Sequence, residues 1–439
     1  MFCRWGGERT ASKAPTHARR NRILYRWKRV RGVCGSSACR AQYDLVAWGG
    51  VVVDLTVRVD RFPISPFAYQ RSRERDTSVG GTCNAAIVAS RLGMRAAVLD
   101  YTGAAAQDGW AGWVRGALAA EGVDAGGLLP PEGDGRQSSA GKTVLGHYGR
   151  TKMCLVLVNG DGQHTYIADS ECPLIAEYSR EAQLPEQWRA ALTGARVVLL
   201  DGYGLDGCDA AVVTAALRRC DGVIAFDPQH SAHLTEPTPL ARATLAFFRH
   251  LVSLSAFVFA THDEALVLTG ATAAATDTSP EACARALLAL QEPRAASRGT
   301  PCAAVLKLGA AGCLVASRTA PNDDTGGGRR SAMAPSDASL HRASCTTPVQ
   351  VFRVPAFRPQ SPVQDTVGAG DAFAATFLSL WMRGASVPLA ATAGCAAGCA
   401  AVQRIGAGRA LPYRADTLAI LRQQASVDVA GQVEQLLTR

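Results

Sequence analysis

The feature that most constrains the fold is an alternation, after residue 42, of short apolar runs with alanine-rich stretches of helical length. Strands are predicted at 45–53, 96–101, 154–158, 196–201, 223–227, 256–260, 303–308 and 312–316. Helices are predicted at 84–92, 110–121, 208–219, 281–290, 372–383 and 390–403. Because strands that alternate with helices return to the same sheet in parallel, we expect a three-layer α/β domain with a central, mostly parallel sheet.

Three segments depart from this alternation. Residues 56–60 and 143–167 alternate apolar and polar residues, which predicts strands outside the main sheet. We expect these strands to form a small β flap, or lid, from about 55–77 and 143–170. Residues 317–348 are rich in Gly, Ser, Asp, Arg and Thr without periodicity, which predicts a disordered surface insertion. The main domain is then 43–425, followed by a C-terminal tail at 426–439.

The positive charge of the chain is concentrated at its N-terminus. Residues 1–42 contain nine Arg and two Lys against one acid, Glu8, and the rest of the chain has 35 basic and 36 acidic residues. A basic footprint on the folded part is absent, so nucleic acid is not an expected partner. The basic segment is typical of a cleavable organellar targeting peptide, with the chloroplast favoured over the mitochondrion. A disordered basic tail on a cytoplasmic protein, or an upstream stretch translated in error, is the alternative.

The fourteen cysteines are scattered and lie mostly in apolar or Gly/Ala-rich surroundings. This distribution is typical of small buried residues in a reducing compartment rather than of a disulfide framework. Cys34 and Cys39 do not have the spacing of paired metal ligands, and no second pair completes a zinc site. No apolar run reaches the length of a membrane span, so no membrane partner is expected.

A glycine-rich segment precedes the helix predicted at 372–383. It reads Asp365-Thr366-Val367-Gly368-Ala369-Gly370-Asp371. Small residues let the backbone approach a ligand, and the free amides of a helix N-terminus attract anions, so we expect a phosphate there. Asp371 would repel that anion. It is therefore either a helix cap or the base that takes a proton from an attacking hydroxyl during phosphoryl transfer.

The run DTVGAGDAF at 365–373 resembles the C-terminal signature of the PfkB, or ribokinase-like, family of carbohydrate and nucleoside kinases. The resemblance extends over about residues 43–420. It implies a ribokinase-like fold and the phosphorylation of a hydroxyl by ATP. It also implies that Asp371 is the catalytic base and that the amides of 368–370 form the anion hole.

A second part of the family pattern lies near the first predicted helix and reads Ser78-Val79-Gly80-Gly81-Thr82-Cys83-Asn84. Adjacent glycines let the backbone pack against a sugar, and Asn84 offers a donor and an acceptor to vicinal hydroxyls. A Gly-Gly pair before a helix is also a common turn. The resemblance implies substrate binding by Gly80, Gly81, Asn84 and Asp54, which ends the first predicted strand. The gap between Gly81 and Asn84 is one residue shorter than in many members.

On the nucleotide side, the segment 305–312 resembles the strand and turn that lie beside ATP in the family. A strand followed by a glycine turn explains the same glycines without a nucleotide. The resemblance implies nucleotide binding by Lys307, Gly309, Gly312, Thr366 and Cys395.

The family also implies two cations. Glu264 ends Thr261-His262-Asp263-Glu264, which resembles an Asn-x-x-Glu motif that orders the water around Mg²⁺, with Thr261 in place of the Asn. Asp365 and Val367 lie where the family binds a monovalent cation such as K⁺. A Walker A sequence is absent, which argues against a P-loop kinase.

The predicted function is therefore ATP-dependent phosphorylation of a sugar by a fructokinase-like or ketohexokinase-like enzyme. Ribose is a poorer candidate, because Val52 and Thr82 replace an Asn and a Lys of ribokinase. A nucleoside kinase of the adenosine type is one alternative. A catalytically impaired organellar binding or scaffold protein, motivated by Thr261 and Val52, is an alternative of another class. Pairing of exposed flap strands predicts a homodimer.

Overall fold

The structure is a computed structural model, and it describes fourteen stretches of the chain. They are residues 42–64, 69, 72, 75–100, 109–128, 151–160, 163–168, 184–203, 205, 210–229, 232–271, 277–292, 300–318 and 348–438. The N-terminal segment up to residue 41, residues 143–150 of the expected flap and residues 319–347 of the expected insertion lie outside them. The targeting peptide and the disordered insertion therefore stay predictions.

Thirteen strands and eleven helices occur in the described residues. The strands are β1 (Tyr43–Gly49), β2 (Val51–Arg58), β3 (Arg75–Gly81), β4 (Ala96–Asp100), β5 (Asp124–Gly127), β6 (Met153–Val158), β7 (His164–Ala168), β8 (Ala195–Asp201), β9 (Val223–Asp227), β10 (Phe257–Thr261), β11 (Cys302–Lys307), β12 (Cys313–Arg318) and β13 (Val349–Val354). The helices are α1 (Cys83–Arg91), α2 (Gly109–Ala120), α3 (Glu186–Thr193), α4 (Ala210–Arg218), α5 (Pro239–Leu254), α6 (His262–Thr269), α7 (Pro280–Leu290), α8 (Ala369–Met382), α9 (Val387–Ala401), α10 (Arg414–Gln424) and α11 (Val427–Thr438).

The central sheet has nine strands in the order β13-β12-β11-β10-β9-β8-β1-β4-β5. All neighbours are parallel except β11 with β12 and β12 with β13, which are antiparallel. Alternate residues of β1 enter two different apolar cores: Leu45 and Ala47 pack on one side of the sheet, and Val46 and Trp48 pack on the other. Burial on both faces explains the continuous apolar runs of these strands. The predicted three-layer, mostly parallel α/β fold is confirmed.

A second sheet of four strands, in the order β3-β2-β6-β7, forms the flap. The strand predicted at 45–53 is in fact two strands, because the chain leaves the main sheet at Gly49 and enters the flap at Val51. A Cβ on Gly49 would lie only 2.5 Å from the Cβ of Asp201, so the backbones pass closely at this crossing. The apolar sequence hides the break, since Val51 and Val53 are also buried.

The segment expected as a C-terminal tail contains α11. Its Ala430, Val433 and Leu437 are buried in the same core as α8 and α9. The end of the chain therefore contributes to the helical layer. In the described residues, no helix combines the length and the apolar character needed to cross a membrane.

Candidate active site

Asp371 lies in the first turn of α8, which begins directly after Gly368 in the left-handed conformation at φ 74°. The helix has no side-chain cap, so the capping role considered for Asp371 is not the one it has. Instead, Asn84 Nδ2 donates to one carboxylate oxygen of Asp371 at 2.9 Å, and Gln229 Nε2 donates to the other at 3.1 Å. The two amides thus fix the orientation of the carboxylate.

Opposing effects act on the charge of Asp371. Burial and the nearby carboxylate of Asp227 raise the pKa of Asp371, whereas the hydrogen bonds from Asn84 and Gln229 and the charge of Lys307 act against that rise. The net direction is upward. Asp371 is therefore a carboxylate whose basicity is increased and whose ionised form is held by specific donors, as a general base requires.

A positive charge lies next to the glycine-rich turn. Lys307, at the end of β11, donates to Asp227 at 2.6 Å. A Cβ on Gly370 would lie 3.3 Å from Lys307 Nζ, so the ammonium group lies beside the turn. Although burial opposes the charged form, the carboxylates of Asp227 and Glu264 raise the pKa of Lys307. The start of α8 therefore combines a helix N-terminus with a fixed cation, which together favour an anion.

Asp54 is in the interior of flap strand β2, where it pairs with Ser78 of β3. The expectation that it ends a strand of the main sheet is wrong, because that strand stops at Gly49. Its side chain is 6 % exposed, and a Cβ on Gly80 would overlap its carboxylate. Burial and the charges of Asp371 and Asp365 raise the pKa of Asp54 to about 7. Gly80 therefore makes room for a buried carboxylate rather than forming a turn.

Two cavities meet at the start of α8. The first, of about 490 Å³, lies between the flap and the main sheet and is named the acceptor cavity. It is lined by Gly50, Val51, Val52, Asp54, Gly81, Asn84, Lys152, Met153, Cys154, Thr165, Tyr166, Ala168, Asp201, Tyr203, Gln229, Val367, Gly368 and Asp371. It thus brings together three of the four predicted substrate-binding residues and Asp371, while Gly80 lies behind Asp54.

The second cavity, of about 560 Å³, lies on the other side of the turn and is named the nucleotide cavity. All five predicted nucleotide-binding residues line it, namely Lys307, Gly309, Gly312, Thr366 and Cys395. The structure places Ala369 and Gly370 of the expected anion hole on this side as well, and Gly368 on the acceptor side. Binding of a nucleotide by these residues stays a prediction.

Glu264 lies near Lys307 but is engaged at the start of α6. Its carboxylate accepts from the Thr261 backbone N–H at 2.8 Å, and the Thr261 hydroxyl accepts from the Glu264 N–H at 3.3 Å, which forms a capping box. Burial raises the pKa of Glu264 to about 7, and the charge of Lys307 opposes the rise. Within the described residues, no group of three or more His, Cys, Asp or Glu could hold a metal ion. The ordering of water around Mg²⁺ by Glu264 stays a prediction.

Asp365 connects two loops at the base of the site. Its carboxylate accepts from the backbone N–H groups of Val367 at 3.0 Å and Gly406 at 2.9 Å. The side chain is almost completely buried. Asp365 therefore holds the glycine-rich turn against the loop after α9. A monovalent cation at Asp365 and Val367 stays a prediction.

Several site residues escaped the sequence analysis. Asp201 and Asp227 are the last residues of β8 and β9, and their position at the ends of two predicted strands was a usable signal. Tyr203 and Gln229 had no such signal. Gln229 has φ 56° and is the one non-glycine residue with positive φ in the described parts of the chain. Such strain at a residue that contacts Asp371 marks it as part of the site.

The comparisons with known proteins agree with this fold. Residues 42–414 match the family described as pfkB family carbohydrate kinase. A search of curated proteins gives no match.

Solved structures with the same fold share few residues with the chain. A probable sugar kinase from Rhizobium etli is 18 % identical with a TM-score of 0.60, over 87 % of this chain and 98 % of the other. Ribokinase from Arabidopsis thaliana, complexed with ribose and ATP, is 17 % identical with a TM-score of 0.54, over 87 % and 99 %. A nucleoside kinase from Methanocaldococcus jannaschii is 15 % identical with a TM-score of 0.54, over 87 % and 98 %.

Proposed function

The chain belongs to the pfkB family of carbohydrate kinases, and we propose that it transfers the γ-phosphoryl group of ATP to a hydroxyl of a sugar. One observation carries this proposal. The turn at the start of α8 separates two cavities, with Gly368 and Asp371 on one side and Ala369, Gly370 and Lys307 on the other. A phosphoryl group that passes from one cavity to the other crosses a helix N-terminus beside a carboxylate.

The acceptor side supports a general-base mechanism. Asp371 faces the acceptor cavity and is held by Asn84 and Gln229, so it is placed to take a proton from a bound hydroxyl as the oxygen attacks phosphorus. Asp54 lines the acceptor cavity and is almost completely buried, so its carboxylate is available to the hydroxyls of an acceptor. We assign orientation of the acceptor to Asp54.

The nucleotide side supports stabilisation of the transferred charge. The backbone at Gly370 and the ammonium group of Lys307 lie together where negative charge would develop on the phosphoryl oxygens. A Mg²⁺ bound with ATP would neutralise phosphate charge, with Glu264 and Asp227 within the polar surroundings that order its water. The flap strands cover the acceptor cavity and would exclude water that otherwise hydrolyses ATP.

A nucleoside acceptor is the second candidate. Tyr166 and Tyr203 line the acceptor cavity, and their rings could stack on a base as well as on a sugar face. A binding protein without turnover is the candidate of another class. This candidate is suggested by Thr261, whose hydroxyl accepts a hydrogen bond from the Glu264 N–H in the capping box.

The test is ATP turnover by the purified protein with a panel of sugars and nucleosides and with Mg²⁺ present. We expect acceptor-dependent ADP release and a phosphorylated product identified by mass spectrometry. Release with nucleosides alone would replace the sugar by the second candidate. Binding of an ATP analogue without turnover on any acceptor would favour the binding protein.

The location of the protein is also a proposal. The nine arginines of residues 1–42 favour import into an organelle, the chloroplast first. A fluorescent fusion that stays in the cytoplasm would contradict it.

A further inference from the structure

Two buried thiols lie side by side at the nucleotide cavity, where Cys395 lines the wall and Cys313 follows the lining residue Gly312. Cys395 Sγ on α9 donates to Cys313 Sγ, the first residue of β12, across 3.7 Å. Cys313 is 1 % exposed and Cys395 is 8 % exposed. Both are free thiols. The phosphoryl transfer proposed above uses neither sulfur.

The pair connects two elements that shape the cavity. Cys313 pairs in register with Lys307 on the neighbouring strand, beside the expected phosphate end of the cavity. Cys395 itself lines the cavity, and so does Cys399 one helical turn later. A covalent bond between Cys313 and Cys395 would therefore join the sheet to α9 beside the nucleotide cavity.

We propose that Cys313 and Cys395 form a reversible disulfide on reaction with a peroxide or a low-molecular-weight disulfide. We further propose, on the basis of the proposed ATP-dependent function, that this bond weakens nucleotide binding.

The chemistry balances with either oxidant. With hydrogen peroxide, Cys395 sulfur attacks one peroxide oxygen and becomes a sulfenic acid while the other oxygen leaves as water. The Cys313 sulfur then displaces the sulfenic oxygen as a second water and forms the S–S bond. With a small disulfide, a mixed disulfide at Cys395 is resolved by Cys313, and two small thiols are released.

Cys395 is the thiol that reacts first. It faces the cavity, so a small oxidant reaches it along the path of the nucleotide. The hydrogen bond shared with Cys395 and burial raise the pKa of Cys313, which keeps Cys313 protonated until its partner is oxidised.

The bond would change the shape of the cavity. The sulfurs of a disulfide are about 2.05 Å apart, so the two thiols must approach each other from 3.7 Å. Since Cys313 is in a central-sheet strand and Cys395 is in a helix, that approach moves packed backbone or side chains at the cavity wall. A filled cavity would in turn block access to Cys395.

The first measurement is peptide mapping of the full chain after reduction, removal of reductant and exposure to hydrogen peroxide or oxidised glutathione. We expect one cross-link, between the peptides that contain Cys313 and Cys395, with the loss of two hydrogen atoms and reversal by dithiothreitol. An ATP analogue at ten times its Kd should slow its formation about tenfold by mass action. A cross-link between Cys395 and Cys399, or oxidation of other thiols without a cross-link, would overturn the proposal.

The second measurement is nucleotide affinity by calorimetry. Oxidation should weaken binding about tenfold or more in the wild type and in the control Cys302→Ala, which removes another buried strand cysteine. It should have no effect in Cys313→Ala/Cys395→Ala, in which neither thiol of the pair can react. A cross-linked protein with unchanged affinity would overturn the second part of the proposal. A reduced protein that binds no nucleotide would refute the proposed function. The peptide map would still test separately whether Cys313 and Cys395 form a disulfide.

Discussion

Gln229 offers two variants that should lose catalysis to the same extent but differ in stability. Its side chain donates to Asp371 at 3.1 Å, and its backbone has φ 56°. Gln229→Gly removes the amide and also relieves the backbone. Gln229→Ala removes the same amide but keeps the strained conformation. The two variants therefore separate the contact from the strain.

The magnitudes follow from these two contributions. A left-handed conformation costs a non-glycine residue about 1–2 kcal/mol, part of which is offset by the greater unfolded-state entropy of glycine, about 0.5–1 kcal/mol. Gln229→Gly should thus be more stable than Gln229→Ala by about 1 kcal/mol, or about 1–2 °C in Tm for a domain of this size. A hydrogen bond to a charged group contributes about 1.5–3 kcal/mol, so both variants should lose about 10- to 100-fold in kcat/KM.

The pH profile identifies the cause of that loss. The bond from Gln229 lowers the pKa of Asp371, so its removal should raise that pKa and move the acidic limb of kcat/KM to higher pH in both variants. The assays are coupled ADP release across pH and thermal denaturation. An unchanged acidic limb would refute positioning of the base by Gln229. Equal Tm values for Gly and Ala would refute the strain.

Three further predictions concern the charged and glycine residues of the site. The pKa of Asp54 is raised from 3.8 to about 7, so between these two pH values the folded protein holds a proton that the unfolded chain has lost. The free energy of unfolding therefore falls as pH rises through this window. Asp54→Asn should therefore raise Tm at about pH 8 and leave it nearly unchanged at about pH 4 in thermal denaturation; an equal gain at both would contradict it. Lys307→Met leaves Asp227 buried without its cation and should cost about 3–5 kcal/mol by denaturant unfolding. Adding Asp227→Asn to Lys307→Met should restore most of the stability but not the ATP affinity. A double variant that binds ATP as tightly as the wild type would exclude a contact between Lys307 and phosphate. Gly80→Ala should displace the Asp54 carboxylate and raise the acceptor KM about tenfold or more without changing the Kd for ATP, whereas an equal change in both would indicate general damage.

The main sheet was predictable because both of its faces are buried. A continuous apolar run then marks each inner strand, and the prediction at 223–227 has the same bounds as β9 (Val223–Asp227). The edge strands β5 and β13 have no such run and were not predicted. The flap was less accessible to this reasoning. Arg75–Gly81 forms β3 although it has polar residues and two glycines. Residue 80 is a glycine because a side chain there would overlap the Asp54 carboxylate on the neighbouring strand. That requirement is tertiary and leaves no local pattern.

The site residues also divide into those that a local sequence motif marks and those that only tertiary contacts place. The glycine-rich segment and Asp371 were visible as a local motif, and the five residues predicted for the nucleotide do share one cavity. The contacts of Asp371 come from Asn84 and Gln229, which are 287 and 142 residues away along the chain. The family resemblance predicted that Asn84 binds the substrate. It did not predict that Asn84 donates a hydrogen bond to Asp371. Gln229 becomes visible only from its backbone conformation and its contact.

The central claim is that Asp371 takes the proton of the acceptor hydroxyl between the two cavities. Its most direct test is Asp371→Asn, which keeps the size of the side chain and removes the basic oxygen. With wild-type and variant protein side by side, we predict a fall in kcat of about 10²- to 10⁴-fold, while the Kd values for an ATP analogue and for the acceptor change less than about threefold. Acceptor-dependent ADP release by Asp371→Asn within about tenfold of the wild-type rate would contradict the assignment.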